Sequence, residues 1–571
     1  MKNLELSQIF YQMSDLLEIK EAPFRARAFR KAGRVFKFLE KDVEEIYREG
    51  GTKALKDIPG VGEGIARRIE EFIKTGNIKD YQKLKKKCPV DLESLSVIEG
   101  IGSKKIKFLY KELKIKNRDD LKKAAQLGRI RKLEGFGAQS EKNILQAIAF
   151  AKAGEGRFLL GLILPRVRRI INKLKKLPQV GKISAAGSVR RGKESVGDVD
   201  ILVASSEPKE IMDFFTKIPG ISKVWAKGAT KSSIRFRDGL DCDLRIVKKE
   251  SFGAALQYFT GSKEHNILTR RIARKKGLKL NEYGVYKGKR KIAGQTEKGV
   301  YKAIGLPYIE PELRTNTGEI EAALSNNLPK LINYNDIKGD CHCHTDWSDG
   351  SQTIEQMANV AKKMGYQYLA ITDHGGFLKI ANALDEKRLL KQMAEIDKIN
   401  KRVSGIEILK GCEVDIKKNG DLAIKDEVLA KLDLVLAAVH SNYKMAEKDM
   451  TERLVRAIEN PFVNIIAHPT GRKIHYREEY SFDFDKIFKA ARENKTALEI
   501  NSHPKRLDLR DIHIKKALEA EVKLVINTDA HNSLEFSMIE LGIATARRGW
   551  AKKKDILNTR PVNKFLEYFG D

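Results

Sequence analysis

Two groups of residues in this 571-residue chain have the types and spacing for metal-assisted phosphate chemistry. The first lies in Gly187-Ser188-Val189-Arg190-Arg191-Gly192-Lys193-Glu194-Ser195-Val196-Gly197-Asp198-Val199-Asp200. A glycine turn carrying a serine and arginines suits a triphosphate. Asp198 and Asp200 open an apolar strand run, Ile201-Leu202-Val203, so alternation points both carboxylates to one side. Paired carboxylates hold Mg²⁺ ions, which activate a hydroxyl and stabilise a leaving pyrophosphate. A third carboxylate must come from a neighbouring strand. In Leu240–Val247, Asp241 and Asp243 share the polar face opposite Cys242, Leu244 and Ile246, and alternation does not choose between them.

The second group gathers six of the ten histidines. His342 and His344 alternate in Gly339-Asp340-Cys341-His342-Cys343-His344, and Asp349 follows. His374 ends an apolar run, Glu413 follows another, His440 and His468 end two more, and Asp529 and His531 close the last. A single histidine so placed is more often structural or solvent-exposed. Nine candidates at or just past the ends of apolar runs point to a metal centre. Mixed imidazole and carboxylate ligands suit Mn²⁺, Zn²⁺ or Fe²⁺.

The runs that must carry these residues lie at 337–342, 368–372, 406–409, 432–439, 463–467, 497–500 and 522–526. Most are separated by amphipathic helical stretches such as 353–364 and 512–520, which predicts parallel βα units. About seven such strands suggest a barrel-like array, in which the C-terminal strand ends converge on one face. Upstream, short β-type runs at 182–186, 199–204, 234–237 and 244–247 lie between helices. Residues 250–310 are mixed and basic, and the polar stretch 315–329 reads as a linker.

Residues 1–150 read as helical, with apolar positions at helical spacing in Leu4, Ile9, Phe10, Met13, Leu16 and Leu17. Three glycine pairs interrupt them: Gly60 and Gly62, Gly100 and Gly102, Gly135 and Gly137. Each pair precedes a predicted helix, over 63–75, 103–113 and 138–153. One G-x-G is an ordinary turn between helices. Three copies, each with an aliphatic residue two before the first glycine, read as phosphate seats built from glycine backbone and helix N-termini. Lys104, Lys105, Arg131 and Lys132 add charge nearby.

Charge supports that division. Residues 1–335 hold 70 Lys and Arg against 40 Asp and Glu, and residues 336–571 hold 39 against 37. The first part reads as a polyanion binder. No run of about 18 apolar residues spans a membrane. The N-terminal segment carries acids and has no apolar signal core, and the five cysteines form no framework, so a reduced, cytoplasmic protein is expected.

The glycine pairs resemble helix-hairpin-helix DNA-binding motifs. With Gly187–Asp200, Tyr258-Phe259-Thr260-Gly261-Ser262, Asn266, Arg270 and Asn281-Glu282-Tyr283, they make residues 1–313 resemble the family X DNA polymerases, the DNA polymerase beta family. The resemblance implies Asp243 as the third metal ligand beside Asp198 and Asp200, with Mg²⁺ or Mn²⁺ there. It implies that Gly187, Ser188, Arg191 and Gly197, with Arg166, hold the triphosphate. It also implies that Tyr258, Phe259 and Gly261 pack the sugar, and that Asn266 and Arg270 face the minor-groove side of the new pair. Beta-like members form a Schiff base through a lysine where this chain has Arg68. Arginine stays protonated, which argues against a lyase and for a DNA-phosphate contact.

Residues 336–571 resemble the polymerase-and-histidinol-phosphatase (PHP) domain. All nine positions of its metal pattern are present: His342, His344, Asp349, His374, Glu413, His440, His468, Asp529 and His531. The resemblance implies a distorted seven-stranded barrel with up to three ions. His503 and Arg506, after the sixth strand, are expected to hold a DNA phosphate, while His475 and His513 are assigned no role.

The expected organisation is multidomain α and α/β. A helical DNA-binding domain (1–85) and a helix-hairpin-helix subdomain (86–152) come first. A nucleotidyltransferase palm (153–250), a nucleotide-selecting subdomain (251–314), a linker (315–335) and the PHP domain (336–571) follow. The order matches bacterial and archaeal family X polymerases. The expected activity is gap filling in DNA repair with 3′-5′ exonuclease, 3′-end-processing or abasic-site cleavage. The expected partners are gapped or primer-template duplex and dNTPs, and the protein is expected to be a monomer. A nucleotidyltransferase for another acceptor conflicts with the three hairpins and Tyr258–Ser262, and an inactive DNA-binding scaffold conflicts with the intact carboxylates.

Overall fold

The structure is a computed structural model and describes residues 2–39, 41–88 and 90–570. It divides into two compact units. One comprises Met1–Glu155, Gly339–Ala490 and Thr528–Ser537, the other Gly156–Lys338, Ala491–Asn527 and Met538–Asp571.

In the first unit, α1 (Lys2–Ile19) and α2 (Pro23–Phe38) pair through Leu6, Phe10, Met13 and Leu17 against Phe29, Val35 and Phe36. The Phe10 and Phe36 rings meet edge-on at 5.8 Å. Each glycine pair then starts a helix: α3 (Glu63–Thr75), α4 (Ser103–Leu113) and α5 (Ala138–Ala153). Gly60, Gly100 and Gly135 have φ of +75°, +80° and +76°, the left-handed region that favours glycine. Gly62, Gly102 and Gly137 are the N-caps. A Cβ on any of these three caps would meet no atom within 4 Å, so internal packing does not require glycine there.

In the second unit lies a five-stranded sheet of β1 (Lys182–Ala185), β2 (Asp198–Ala204), β3 (Ile221–Lys227), β4 (Lys231–Phe236) and β5 (Asp241–Val247), in the order β1-β2-β5-β4-β3. Helices α6 (Phe252–Thr260) and α7 (Lys263–Lys275) follow, then a three-stranded antiparallel sheet over 279–293. The stretch expected as a linker is folded. It carries α8 (Glu319–Leu324), and Ile320, Ala323 and Leu331 enter one apolar core with Leu280, Val300 and Tyr301. Glu319 is buried against His265 Nδ1 at 2.9 Å, and His265 Nε2 lies 2.8 Å from the Tyr301 hydroxyl. A polar sequence suggests a tether, but here one of its two acids, Glu319, is consumed by a buried partner.

The expected parallel strands are present: β6 (Gly339–Asp340), β7 (Tyr368–Ile371), β8 (Glu407–Asp415), β9 (Leu434–Ala438) and β10 (Ile465–Ile466) in the first unit, β11 (Ala497–Asn501) and β12 (Leu524–Asn527) in the second. Within the first unit β6 to β10 lie side by side in sequence order, and within the second β11 pairs parallel with β12, in keeping with the strands of a parallel-strand barrel. Strands β7 to β9, β11 and β12 are buried almost throughout, which explains their continuous apolar runs.

Candidate functional site

In the second unit, β2 and β5 run parallel with Asp198 beside Asp241 and Asp200 beside Asp243. The two acids of β5 have different fates. Arg235 donates from Nε and Nη2 to the two Asp241 oxygens at 2.8 and 2.7 Å, and Trp225 Nε1 donates at 3.1 Å. That Arg235 contact holds Asp241 below its ordinary range. Asp243 keeps only Lys231 Nζ, at 2.8 Å, among the ion pairs of described residues. Burial, then the charges of Asp198 and Asp243, push Asp200 up to about 6. The clustered carboxylates are therefore Asp198, Asp200 and Asp243. Gly187 is needed here twice over: its φ is +59°, and a Cβ would collide with the Asp200 carboxylate.

A cleft of about 680 Å³ opens onto this cluster, and Ser188, Arg191, Gly197, Asp198, Asp243 and the Arg235-paired Asp241 line it. Arg157 and Lys193, which the motif reading passed over, line it too. Arg166 does not. It is buried over the Phe236 ring at 5.0 Å, and its guanidinium grips both Asp238 oxygens. Spacing alone cannot reveal such a partner, 72 residues away.

Beside the cleft, Arg191 donates to the Thr260 carbonyl at the end of α6. The Tyr258 and Phe259 rings meet edge-on at 5.1 Å. Asn266 is buried, donates to the Tyr258 carbonyl at 2.7 Å and accepts from Gln257 at 2.9 Å. It locks the end of α6 in place. Arg270 lies 5.9 Å from the Tyr258 ring centre, and Gly261 takes a φ of +70° to turn the chain into α7.

In the first unit all nine histidine-series residues converge. Glu413, at the end of β8, is their hub. His468 Nε2 lies 2.8 Å from its Oε1, His374 Nδ1 2.8 Å from Oε2, His440 Nε2 3.3 Å from Oε1 and His342 Nε2 3.5 Å from Oε1. Asp529 Oδ1 is 3.2 Å from His344 Nε2, and Asp349 Oδ1 is 3.2 Å from His531 Nε2. Three subsets bring their ligand atoms within 4.8 Å of one another: His344, Asp349, His374 and His531; His342, His344 and Asp529; His374, Glu413 and His440. Both His344 ring nitrogens, Asp349 Oδ1 and Glu413 Oε2 are buried without a hydrogen bond among the described residues. Buried polar atoms are rarely left so, and the donor set fits cations of the Mn²⁺, Zn²⁺ or Fe²⁺ class. Burial would raise Glu413 and Asp529, but surrounding imidazoles hold both well below the carboxylate range. Burial would lower His374, yet Glu413 and Asp349 push it up to about 9; burial and the His531 and His374 charges lower His344 to about 4.

The sequence reading missed the residues that aim these ligands. Asp340 accepts from the His342 amide at 3.1 Å and from the Thr528 hydroxyl at 2.6 Å. Asp415 fixes His440 Nδ1 at 2.7 Å, and Glu535 takes the His531 amide at 2.8 Å. Asp373 collects Thr345, Ser348 and Gln392, bracing the loop that presents Asp349. Such outer partners set ring orientation and ligand basicity. Helix α2 also reaches this loop: Lys31 donates to the Gly350 carbonyl, and Arg34 feels the charges of Glu535 and Asp349.

Among the other expected contacts, Lys104 is exposed on α4, whereas Arg131 is tied to Glu141 at 2.7 Å. Arg68 donates to the Gly64 carbonyl at 2.6 Å, pairs with Asp80 and lies 5.5 Å from the Phe29 ring centre. His503 and Arg506 belong to the second unit, on a loop whose Pro504 packs against Gly161.

The chain matches several known protein families. Models of the helix-hairpin-helix domain (residues 1–78), the SAM-like helix-hairpin-helix tandem (92–149), the DNA polymerase beta palm (165–234), the DNA polymerase beta thumb (255–315) and the PHP domain (340–503) all match. The DNA polymerase/3′-5′ exonuclease PolX of Bacillus subtilis (strain 168) is 39% identical over 100% of this chain and 99% of its own length. The chain belongs to the PolX family of family X DNA polymerases. A probable phosphatase of Thermoanaerobacter sp. (strain X514) is 34% identical over 41% of this chain and 94% of its own. DNA polymerase lambda of Rattus norvegicus is 24% identical over 55% of this chain and 56% of its own. Among the described residues, no helix is long and apolar enough to cross a membrane.

Proposed function

We propose that this chain fills short gaps in duplex DNA during repair of the base-excision type, and that its nine-residue centre trims 3′ ends or cleaves abasic sites. The register of Asp200 beside Asp243, with Asp241 ion-paired to Arg235, carries the first half of this reading. Asp198, Asp200 and Asp243 would hold Mg²⁺ or Mn²⁺. The nine residues around Glu413 would hold up to three ions of Mn²⁺, Zn²⁺ or Fe²⁺. Such ions, when bound, supply Lewis acidity at the phosphate and acidify a bound water.

The chain's own residues do the rest. Ser188, Arg191 and Gly197, joined by Lys193 and Arg157, bind the triphosphate in the cleft. Tyr258 and Phe259, braced by Asn266, face the sugar and resist a 2′-hydroxyl, and Arg270 reads the minor-groove edge. Gly60, Gly62, Gly100, Gly102, Gly135 and Gly137 offer backbone N–H groups to DNA phosphates, with Lys104 and Arg68 adding charge; such contacts position the duplex without reading sequence. The protein acts as a cytoplasmic monomer, and Arg68 replaces the lysine a lyase requires.

The test uses the full chain on gapped duplexes and on duplexes with a 3′ mismatch, with Mg²⁺ and then Mn²⁺. His342→Ala with His344→Ala should abolish 3′ cleavage and leave gap filling within about twofold, as for independent sites. A double variant that degrades 3′ ends at the parental rate would separate the histidine centre from the nuclease.

A further inference from the structure

The peptide joining Gly192 to Lys193 is gripped from two sides within the second unit. Its N–H, on Lys193, donates to the Ser188 carbonyl at 3.1 Å, closing the turn that presents Ser188 and Arg191 to the cleft. Its carbonyl, on Gly192, accepts from Nη1 of Arg548. Arg548 lies 356 residues away, at the end of the helix Ile539–Arg548.

Arg548 is built for this contact. Its side chain is 1% exposed; Nε donates to Asp511 at 2.9 Å, and Nη2 lies 3.2 Å from the Thr545 hydroxyl and 3.6 Å from Glu194. Burial would raise Asp511, but the Arg548 charge holds it down at about 2, so the two stay an ion pair at neutral pH. The same helix is seated along the palm. Leu541 packs on Gly161, Glu540 pairs with Arg168, and Ala544 lies where a Cβ on Gly192 would fall, at 2.9 Å. Gly192 has a φ of +61°, so its conformation and the close helix both require glycine.

We propose that Arg548 is a positioning residue of the nucleotidyl-transfer site. The helix Ile539–Arg548, beyond the PHP match, sets the Gly192 turn and thereby the triphosphate-binding Ser188 and Arg191. A charged donor on the Gly192 carbonyl polarises that peptide and strengthens the N–H bond to Ser188 at its other end. Loss of Arg548 frees the turn. The triphosphate then binds to a less ordered loop, while the carboxylates on β2 and β5 keep their register. The inference rests on the reading of Ser188 and Arg191 as triphosphate contacts.

The experiment measures dNTP KM and kcat for single-nucleotide gap filling, with 3′-5′ exonuclease on the same preparations. Three full-length variants are compared: Arg548→Ala, Arg548→Ala with Asp511→Asn, and Arg191→Ala. The double variant leaves no buried carboxylate unpaired and stands in for Arg548→Ala if that variant does not fold. Loss of an ordered binding loop should raise KM for dNTP about tenfold in both Arg548 variants, with kcat within about threefold and exonuclease unchanged. If Arg191→Ala raises KM and the double variant does not, Arg548 does not position the loop. A parallel fall of polymerase and exonuclease would make Arg548 a general fold contact and overturn the proposal. An unchanged KM in Arg191→Ala would overturn the triphosphate reading itself, and this inference with it.

Discussion

Asp200→Asn should stabilise the palm sheet when no metal is bound, even as it abolishes synthesis. Asp200 is pushed from an ordinary 3.8 up to about 6, first by burial and then by Asp198 and Asp243. Below pH 3.8 it is protonated in both folded and unfolded chains and costs nothing. As pH rises towards 6 the unfolded chain ionises first, so stability falls; above 6 the loss is complete. At 1.36 kcal/mol per pH unit the shift corresponds to about 3 kcal/mol, an upper value because the side chain keeps some solvent. Asparagine has nearly the same shape and no charge, so it removes this cost.

Hydrogen exchange of the Val199–Ala204 amides in EDTA measures the effect locally. At pH 8 the variant should gain about 2–3 kcal/mol of opening free energy over the parent, and at pH 4 the two should agree to within about 0.5 kcal/mol. Adding Mn²⁺ should protect the parent strand and leave the variant unchanged. Equal protection at pH 8, or a gain that does not vary with pH, would mean that Asp200 is not held in a repelling carboxylate cluster.

Asp243→Ala should remove templated dNTP addition by at least about 100-fold while DNA affinity stays within about threefold, because only the reacting centre is lost. Asp241→Ala, which breaks a partly exposed ion pair with Arg235, should cost at most about 1 kcal/mol of stability and little activity; the reverse ranking in a primer-extension assay would reassign the third ligand. Arg68→Ala should reduce the preference for a 5′-phosphate over a 5′-hydroxyl at a gap by about tenfold, the worth of one charged hydrogen bond. Borohydride should trap little covalent complex with a 5′-deoxyribose-phosphate end, and efficient trapping at a lysine within residues 1–85 would contradict that reading.

Local pattern in the sequence determined a great deal. The period of the apolar runs announces parallel βα units, because a strand buried on both faces must be apolar throughout. The i, i+2 spacing of Asp198 and Asp200, and of His342 and His344, fixes their common face, because the pleat alternates side chains. The three glycine pairs declare their turns, because a φ near +75° excludes most other residues. What only the tertiary structure decided is which partner each polar group finds. Asp241 and Asp243 share one face in the sequence, and only the neighbouring β4, bringing Arg235, gives the first an arginine partner, while the second lies beside Asp200. Arg166 is spent on Asp238, and Glu319 of the supposed tether is spent on His265. Asp340, Asp373, Asp415 and Glu535 orient the histidine centre, yet their spacing marks none of them as a partner of a histidine or its loop. Alternation encodes the direction of a side chain. Pairing between polar groups depends on distances that close only when strands and helices pack, across 6 residues for Arg235 and Asp241 and across 356 for Gly192 and Arg548.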